Sequence, residues 1–218
     1  MRLVCISDTH GKHHELDMSK YPGDVLVHAG DWTAGRDLGL SETKDFIEWL
    51  KKQPYKQKVI IAGNHEVQVE SGKEQFLELL KYNQDINYLE NTSVIIDGIK
   101  FYGSPYSNKF CDWAFMAEER DLSKIWAKIP EDTDVLITHG PAYGCNDLVK
   151  NSYGRDPHVG STYLHNRKAT IANNLKIHIS GHIHEAYGIS ATRNTINVCP
   201  CILNEKYQLT NKPIIVEV

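Results

Sequence analysis

The 218-residue chain has no apolar run approaching the roughly 18 residues of a membrane span. Its first residues, MRLVCISD, lack both the roughly 7–15-residue apolar stretch and the small-residue cleavage site of a secretion signal. Charge of one sign is also missing. Lys and Arg number 24 against 28 Asp and Glu, a formal balance of -4, which leaves no basic face to track an extended nucleic acid. Cysteines are few and oddly placed, at 5, 111, 145, 199 and 201. An odd count with irregular spacing excludes a disulfide framework and sets the expectation of a reducing cytoplasm. Cys199-Pro200-Cys201 is not a Cys-x-x-Cys redox pair and has no second pair to complete a zinc site, so no chemistry is expected of it. Linkers, repeats and low-complexity tracts are absent, and residues 1–218 are read as a single domain with no membrane partner.

What the chain does have is a recurrence. Short runs rich in Val and Ile end again and again in Asp, His, Asn and Gly. Residues 2–6 lead into SDTHG, 25–29 into GDW, 58–62 into GNHE, 135–138 into HGP and 177–180 into GHIH. Such β-branched runs bounded by turn residues predict buried strands. Runs 93–96 and 99–102 flank Asp97-Gly98, a hairpin signal, and 213–217 predicts a last strand. Helical spacing predicts helices over 42–52, capped by Ser41, and over 73–82, 117–128 and 164–174. Alternating strands and helices define an α/β fold with buried sheets.

Ligands of such folds bind beyond the carboxyl ends of the strands. Every polar cluster here falls at that position, so groups far apart in sequence should meet at one edge. They are Asp8, His10, Asp31, Asn64, His65, His139, His182 and His184. Within GHIH, His182 and His184 stand two apart, which in extended chain aims both at one site. Carboxylate, imidazole and amide without thiolate suit first-row ions such as Mn, Fe, Zn or Ni better than a structural zinc site. Seven donors exceed what one ion with an open position needs, and suffice for two that share a bridging carboxylate.

DTHG at 8–11, GDW at 30–32, GNHE at 63–66, THGP at 138–141 and GHIH at 181–184 resemble, in order and across almost the whole chain, the motifs of the calcineurin-like metallophosphoesterases. HAGDWT, VIIAGNHE, FYGSPY followed by WAF, HISGHIHEAYG and NKPIIVEV further resemble the metallophosphoesterase-domain-containing (brain 239 protein, MPPED) group, whose members are linked to phosphodiester hydrolysis, including that of cyclic nucleotides. The resemblance implies a four-layer α/β/β/α sandwich of two mixed sheets. It also implies two divalent or trivalent ions (Mn, Fe or Zn), one held by Asp8, His10 and His184 and one by Asn64, His139 and His182, with Asp31 bridging. Two such ions would lower the pKa of a water between them, and the hydroxide would attack phosphorus of a small phosphodiester in line. His65, next to the ligand Asn64, is assigned as general acid to the leaving alkoxide or as a donor to a phosphate oxygen.

Other polar residues have plainer expected roles. Glu66 either orients His65 or caps the turn after it. Gly30, Gly63 and Gly181 allow close backbone approach. His28 and His178 are expected in the core, and His13, His14, His158 and His165 on loops or helix surfaces. Arg36 is taken as a solvated loop residue. Segments 104–116 and 141–163 should roof the site with Tyr106, Asn108, Trp113, Tyr143, Asn146, Tyr153 and Arg155, and substrate choice is expected there.

The alternative activity is that of a phosphomonoesterase or Ser/Thr protein phosphatase. That branch's GDxxDRG pattern would place Arg at position 35, which is Gly35 here. A purple acid phosphatase would need Tyr where Ala34 stands. A non-catalytic scaffold would typically lose ligands or the acid, and this chain keeps all of them. No strong apolar stripe selects an oligomer.

Overall fold

A computed structural model describes residues 1–35, 39–150 and 157–218. Arg36, Tyr153 and Arg155, named above, lie outside the described residues. In chain order the elements are β1 (Arg2–Ile6), β2 (Val25–Ala29), α1 (Ser41–Lys51), β3 (Gln57–Ile61), α2 (Val67–Ser71), α3 (Lys73–Leu80) and β4 (Ile86–Tyr88). Then come β5 (Thr92–Ile96), β6 (Ile99–Ser104), β7 (Ser107–Asn108), β8 (Met116–Ala117), α4 (Glu119–Trp126) and β9 (Val135–Thr138). The last are α5 (Thr162–Thr170), β10 (Ile177–Ser180), β11 (Gly188–Thr192), β12 (Thr195–Cys199) and β13 (Ile214–Glu217).

Two mixed sheets form. One runs β13-β1-β2-β3-β4, parallel except for the antiparallel edge β13. The other runs β11-β12-β10-β9-β6-β5, with parallel centre strands and antiparallel hairpins at both edges. Period-2 alternation explains the layering. In β1, Leu3 and Cys5 point inward and meet Val135, Ile137, Ile177 and Ile179 of the second sheet. Val4 and Ile6 point outward onto Phe46, Ile47 and Leu50 of α1 and Phe76 of α3. On the opposite outer face Tyr102 and Leu136 pack against Leu122 and Trp126 of α4 and Leu164 of α5. Helices, sheet, sheet, helices: the expected four-layer α/β/β/α sandwich is the observed one. Each fully buried large apolar side chain contributes about 1.5–3 kcal/mol, which is why the strands read as unbroken apolar runs.

Several expectations change in detail. Ser41 is the first helical residue rather than the cap. Leu40 holds the cap position at φ 59°, and its own side chain makes no capping hydrogen bond. β4, β11 and β12 escaped the sequence. β4 is three residues long, and β11 exposes Ile189 while carrying Gly188 and Ser190, so neither presents a long apolar run. Segment 104–116 is not all loop, since Ser107–Asn108 pairs with Met116–Ala117. Among the described residues no helix is long and apolar enough to cross a membrane.

Candidate metal centre

β1, β2 and β3 are mutually parallel, as are β9 and β10, so their carboxyl ends lie at common sheet edges. The two edges meet: His139, just after β9, sets its Nδ1 2.9 Å from the Ala29 carbonyl at the end of β2. The eight residues singled out by the sequence gather there. His10 Nε2 is 3.3 Å from His184 Nε2, and His184 Nε2 is 3.7 Å from Asp8 Oδ1. Asp31 Oδ2 lies 3.3 Å from His139 Nε2 and 3.9 Å from His10 Nε2. Asn64 Oδ1 is 2.9 Å from His139 Nε2. Asp8, His10 and His184 form one group whose ligand atoms lie within 4.8 Å of one another, and Asp31, His139 and His182 form another. A third such group, His10, Asp31 and His65, places His65 beside the cluster as well.

Local backbone accounts for the convergence. Asp8, His10, Asp31 and His182 all adopt the left-handed conformation, with φ of 52°, 41°, 57° and 72°. Non-glycine residues seldom do so, and here it turns polar side chains sharply off the strand ends into one space. Glycines leave room for them. A Cβ on Gly181 would stand 2.5 Å from Asp8 Oδ2, and one on Gly63 would strike Asp31 and His139.

Imidazole orientation is fixed from behind. His10 Nδ1–H donates to the Thr33 carbonyl at 3.0 Å, His139 Nδ1–H to Ala29 at 2.9 Å, and His184 Nδ1–H to Asn204 at 3.0 Å. Each bond sets the tautomer that aims Nε2 into the cluster, the arrangement found behind metal-ligating histidines. His65 differs. Its Nδ1 is buried with no hydrogen-bond partner among the described residues, and its ring is held edge-on between His10 (4.5 Å) and Trp113 (4.3 Å). Its Nε2 lies 3.8 Å from Asp31 Oδ2.

Glu66 takes neither expected role. Buried, it accepts from the backbone N–H of Gly63 (2.6 Å), Asp31 (2.9 Å) and Thr33 (3.0 Å), tying the β2 and β3 loops together. Burial and the neighbouring Asp31 push its carboxyl up to about 8. Charge in the cluster is strongly biased. Burial works against ionisation of Asp31, but His139, His65 and His10 outweigh it and hold the carboxyl well below the usual carboxylate range. Burial also opposes charge on His139, yet Asp31 outweighs it and pushes the imidazole up to about 10. Burial lowers His65 and His182 to about 4. A proton retained on His139 Nε2, facing the Asp31 carboxylate and the Asn64 amide oxygen, occupies the place a cation would take. Oxygen and imidazole donors without thiolate, three of the imidazoles braced from behind, fit first-row divalent ions.

The remaining histidines sort as expected with one exception, His13. His28 and His178 are buried and internally bonded. His13, expected outside, is buried with Nε2 3.0 Å from Asp45. His158, 2.7 Å from Asp147, lines a cleft of about 750 Å³ that reaches His182. Asn108 and Tyr143 from the predicted roof line this cleft, as do Lys109 and Phe110, which the sequence did not single out. An exposed aromatic in a loop carries no sequence signal until its neighbours are known. Tyr106 packs in the core against Phe115, and Asn146 donates to the Ala186 carbonyl, so both are structural. Tyr207, also missed, lies 4.9 Å from the His10 ring and 5.0 Å from that of His184.

A four-layer sandwich with a carboxylate–imidazole cluster across its strand ends is the architecture of a metal-dependent phosphoesterase. The family model for calcineurin-like phosphoesterases matches residues 1–186, and the chain belongs to that family. It is 36% identical over 242 residues to metallophosphoesterase domain-containing protein 1 of Homo sapiens, covering 99% of this chain and 70% of that protein. It is 32% identical to the UPF0046 protein C25E10.12 of Caenorhabditis elegans, covering 100% of this chain and 81% of that one. Among solved structures, TT1561 of Thermus thermophilus superposes with a TM-score of 0.67 at 10% identity, over 92% of this chain and 88% of that chain, a likeness of fold. The family binds divalent metals, so the protein is a metal-dependent phosphoric ester hydrolase of this fold.

Proposed function

We propose that the protein hydrolyses small organic phosphodiesters, with cyclic nucleotides as the first class to examine. The carrying observation is the cleft of about 750 Å³ beside His182. Its described lining offers one Lys or Arg, Lys109, and the apolar or aromatic Phe110, Tyr143, Val149 and Val159. A diester monoanion brings one negative charge and a second organic substituent, which such a wall accommodates. A monoester brings nearly two charges and no second substituent.

In this assignment Asp8, His10 and His184 hold one ion, Asn64, His139 and His182 the other, and Asp31 both. When bound, the ions supply a water of lowered pKa and offset charge on the phosphoryl oxygens. The protein's own groups do the rest. Thr33, Ala29 and Asn204 carbonyls keep three imidazoles aimed inward. Glu66 fixes the loops carrying Asp31 and Asn64 relative to each other. His65 stands beside the cluster to protonate the leaving oxygen or donate to a phosphate oxygen. The free thiols and the absence of a basic patch in the sequence support a cytoplasmic enzyme of small phosphate esters rather than of extended nucleic acid.

The test is initial rates on bis-p-nitrophenyl phosphate and p-nitrophenyl phosphate after chelation and restoration of Mn²⁺. A rate favouring the diester is expected. Preference for the monoester would replace the proposal with a phosphatase. Two bound ions with no turnover of either would replace it with a scaffold.

A further inference from the structure

Cys199-Pro200-Cys201 carries no metal or redox spacing, yet the fold places it directly behind the metal centre. The segment after β12 runs alongside the end of β1. Ser7 N–H donates to the Pro200 carbonyl at 3.1 Å and Ile202 N–H to the Ser7 carbonyl at 3.0 Å, with Ser7 and Cys201 paired as a parallel bridge. This register puts the fully buried Cys201 Sγ 3.0 Å from Asp8 Oδ2. The sulfur is itself confined, with Cys199 Sγ at 3.4 Å and Ser7 Oγ at 3.6 Å.

Asp8 uses its two oxygens differently. Oδ1 faces the imidazole of His184 at 3.7 Å, whereas Oδ2 receives the thiol. The His182 N–H lies almost equally close to both, at 3.0 and 3.1 Å, and does not choose between them. Cys201 is therefore the group that distinguishes the two oxygens. A thiol is a weak donor toward neutral acceptors, but a carboxylate acceptor strengthens the bond.

We infer that Cys201 is a positioning residue, whose thiol proton holds Asp8 Oδ2 and leaves Oδ1 to bind the ion shared with His10 and His184. This rests on the assignment of Asp8 as a metal ligand proposed above. Partners behind a metal-binding carboxylate typically alter metal affinity by about 10–100-fold when removed. Packing alone would make a different demand on the same position, since an apolar side chain of similar size would serve it.

Substitution separates the two. Chelator-treated protein kept in reductant is titrated with Mn²⁺ by equilibrium dialysis, for the parent chain and for Cys201→Ser, Cys201→Ala, Cys201→Val and Asp8→Asn. Expected are two ions in the parent and a loss of about 10–100-fold in affinity for one of them in Cys201→Ala and Cys201→Val. Cys201→Ser, which keeps a donor at reduced volume, should bind that ion more tightly than either. Any other order among the three cysteine variants overturns the inference, including valine restoring what serine does not. Asp8→Asn reports on the underlying assignment: it should weaken one ion, and full retention of both would overturn the ligand role of Asp8 and the inference with it. A weakened ion in Asp8→Asn beside a wrong order at position 201 would overturn the cysteine role alone.

Discussion

Two sets of histidines, one within the strands and one just past strand ends, behave in opposite ways. His28 lies within β2, three residues before Asp31, and His178 within β10, four before His182. Both of their ring nitrogens are engaged. His28 meets Thr9 Oγ1 and the Gly30 N–H, each at 3.2 Å, while His178 meets Thr138 Oγ1 at 2.8 Å and Lys168 Nζ at 2.9 Å. At the strand ends, His10, His139 and His184 engage one nitrogen with a backbone carbonyl and turn the other toward carboxylates. Burial does not separate the sets, since His10 and His139 are buried as His28 and His178 are. The distinguishing feature is a ring nitrogen turned toward carboxylates, converging with others of its kind.

That distinction breaks most visibly at Asp31, the carboxylate common to both halves of the cluster. Asp31→Ala should abolish Mn²⁺-restored diester turnover and reduce metal content, read by rate assay and elemental analysis. His65→Ala sharpens the comparison from the other side. With no hydrogen-bond partner on Nδ1 among the described residues, His65 does not resemble the braced candidate ligands, so both ions should remain while kcat falls by roughly 10²–10⁴-fold. An emptied metal site in His65→Ala would make it a ligand and remove its role as acid.

The layered fold was legible because a strand buried on both faces must be apolar throughout. β1, β2, β3, β9 and β10 announce themselves in that way, and the polar clusters after them mark the rim. Edge strands escape the same logic. In β11, Gly188–Thr192 alternates without a strong apolar side, whereas β5, with Ile95 facing solvent, was legible through the Asp97-Gly98 turn that follows it. The candidate ligands could be read because each follows a recognisable strand. Their supports could not. Glu66 reaches back across 35 residues to the Asp31 N–H, and Cys201 lies 193 residues from Asp8. Such partners become neighbours only once the register of the sheets is set. Phe110 and Tyr207 are alike in this respect, being loop aromatics whose contacts depend on tertiary placement.

The smallest predicted effect opposes a core histidine to a rim histidine in metal-free protein. Burial lowers His28 to about 3, below its ordinary value near 6.5. The unfolded chain therefore takes up a proton first as pH falls. The stability due to neutral His28 is present above pH ~6.5 and drains away between there and about pH 3, by about 1.4 kcal/mol per pH unit at most. His139 has the opposite sign. Pushed up to about 10 by Asp31, it favours the folded state fully below pH ~6.5 and loses that contribution as pH rises toward 10. Urea unfolding of chelated protein across pH should accordingly show His28→Gln flattening the acid limb and His139→Gln flattening the alkaline one. Restoring metal should flatten the alkaline limb of the parent chain, because an ion in the place of the His139 proton ends that titration. An alkaline limb unchanged by both His139→Gln and metal would mean that His139 carries no extra proton beside Asp31, and that rim and core histidines differ less than their geometry indicates.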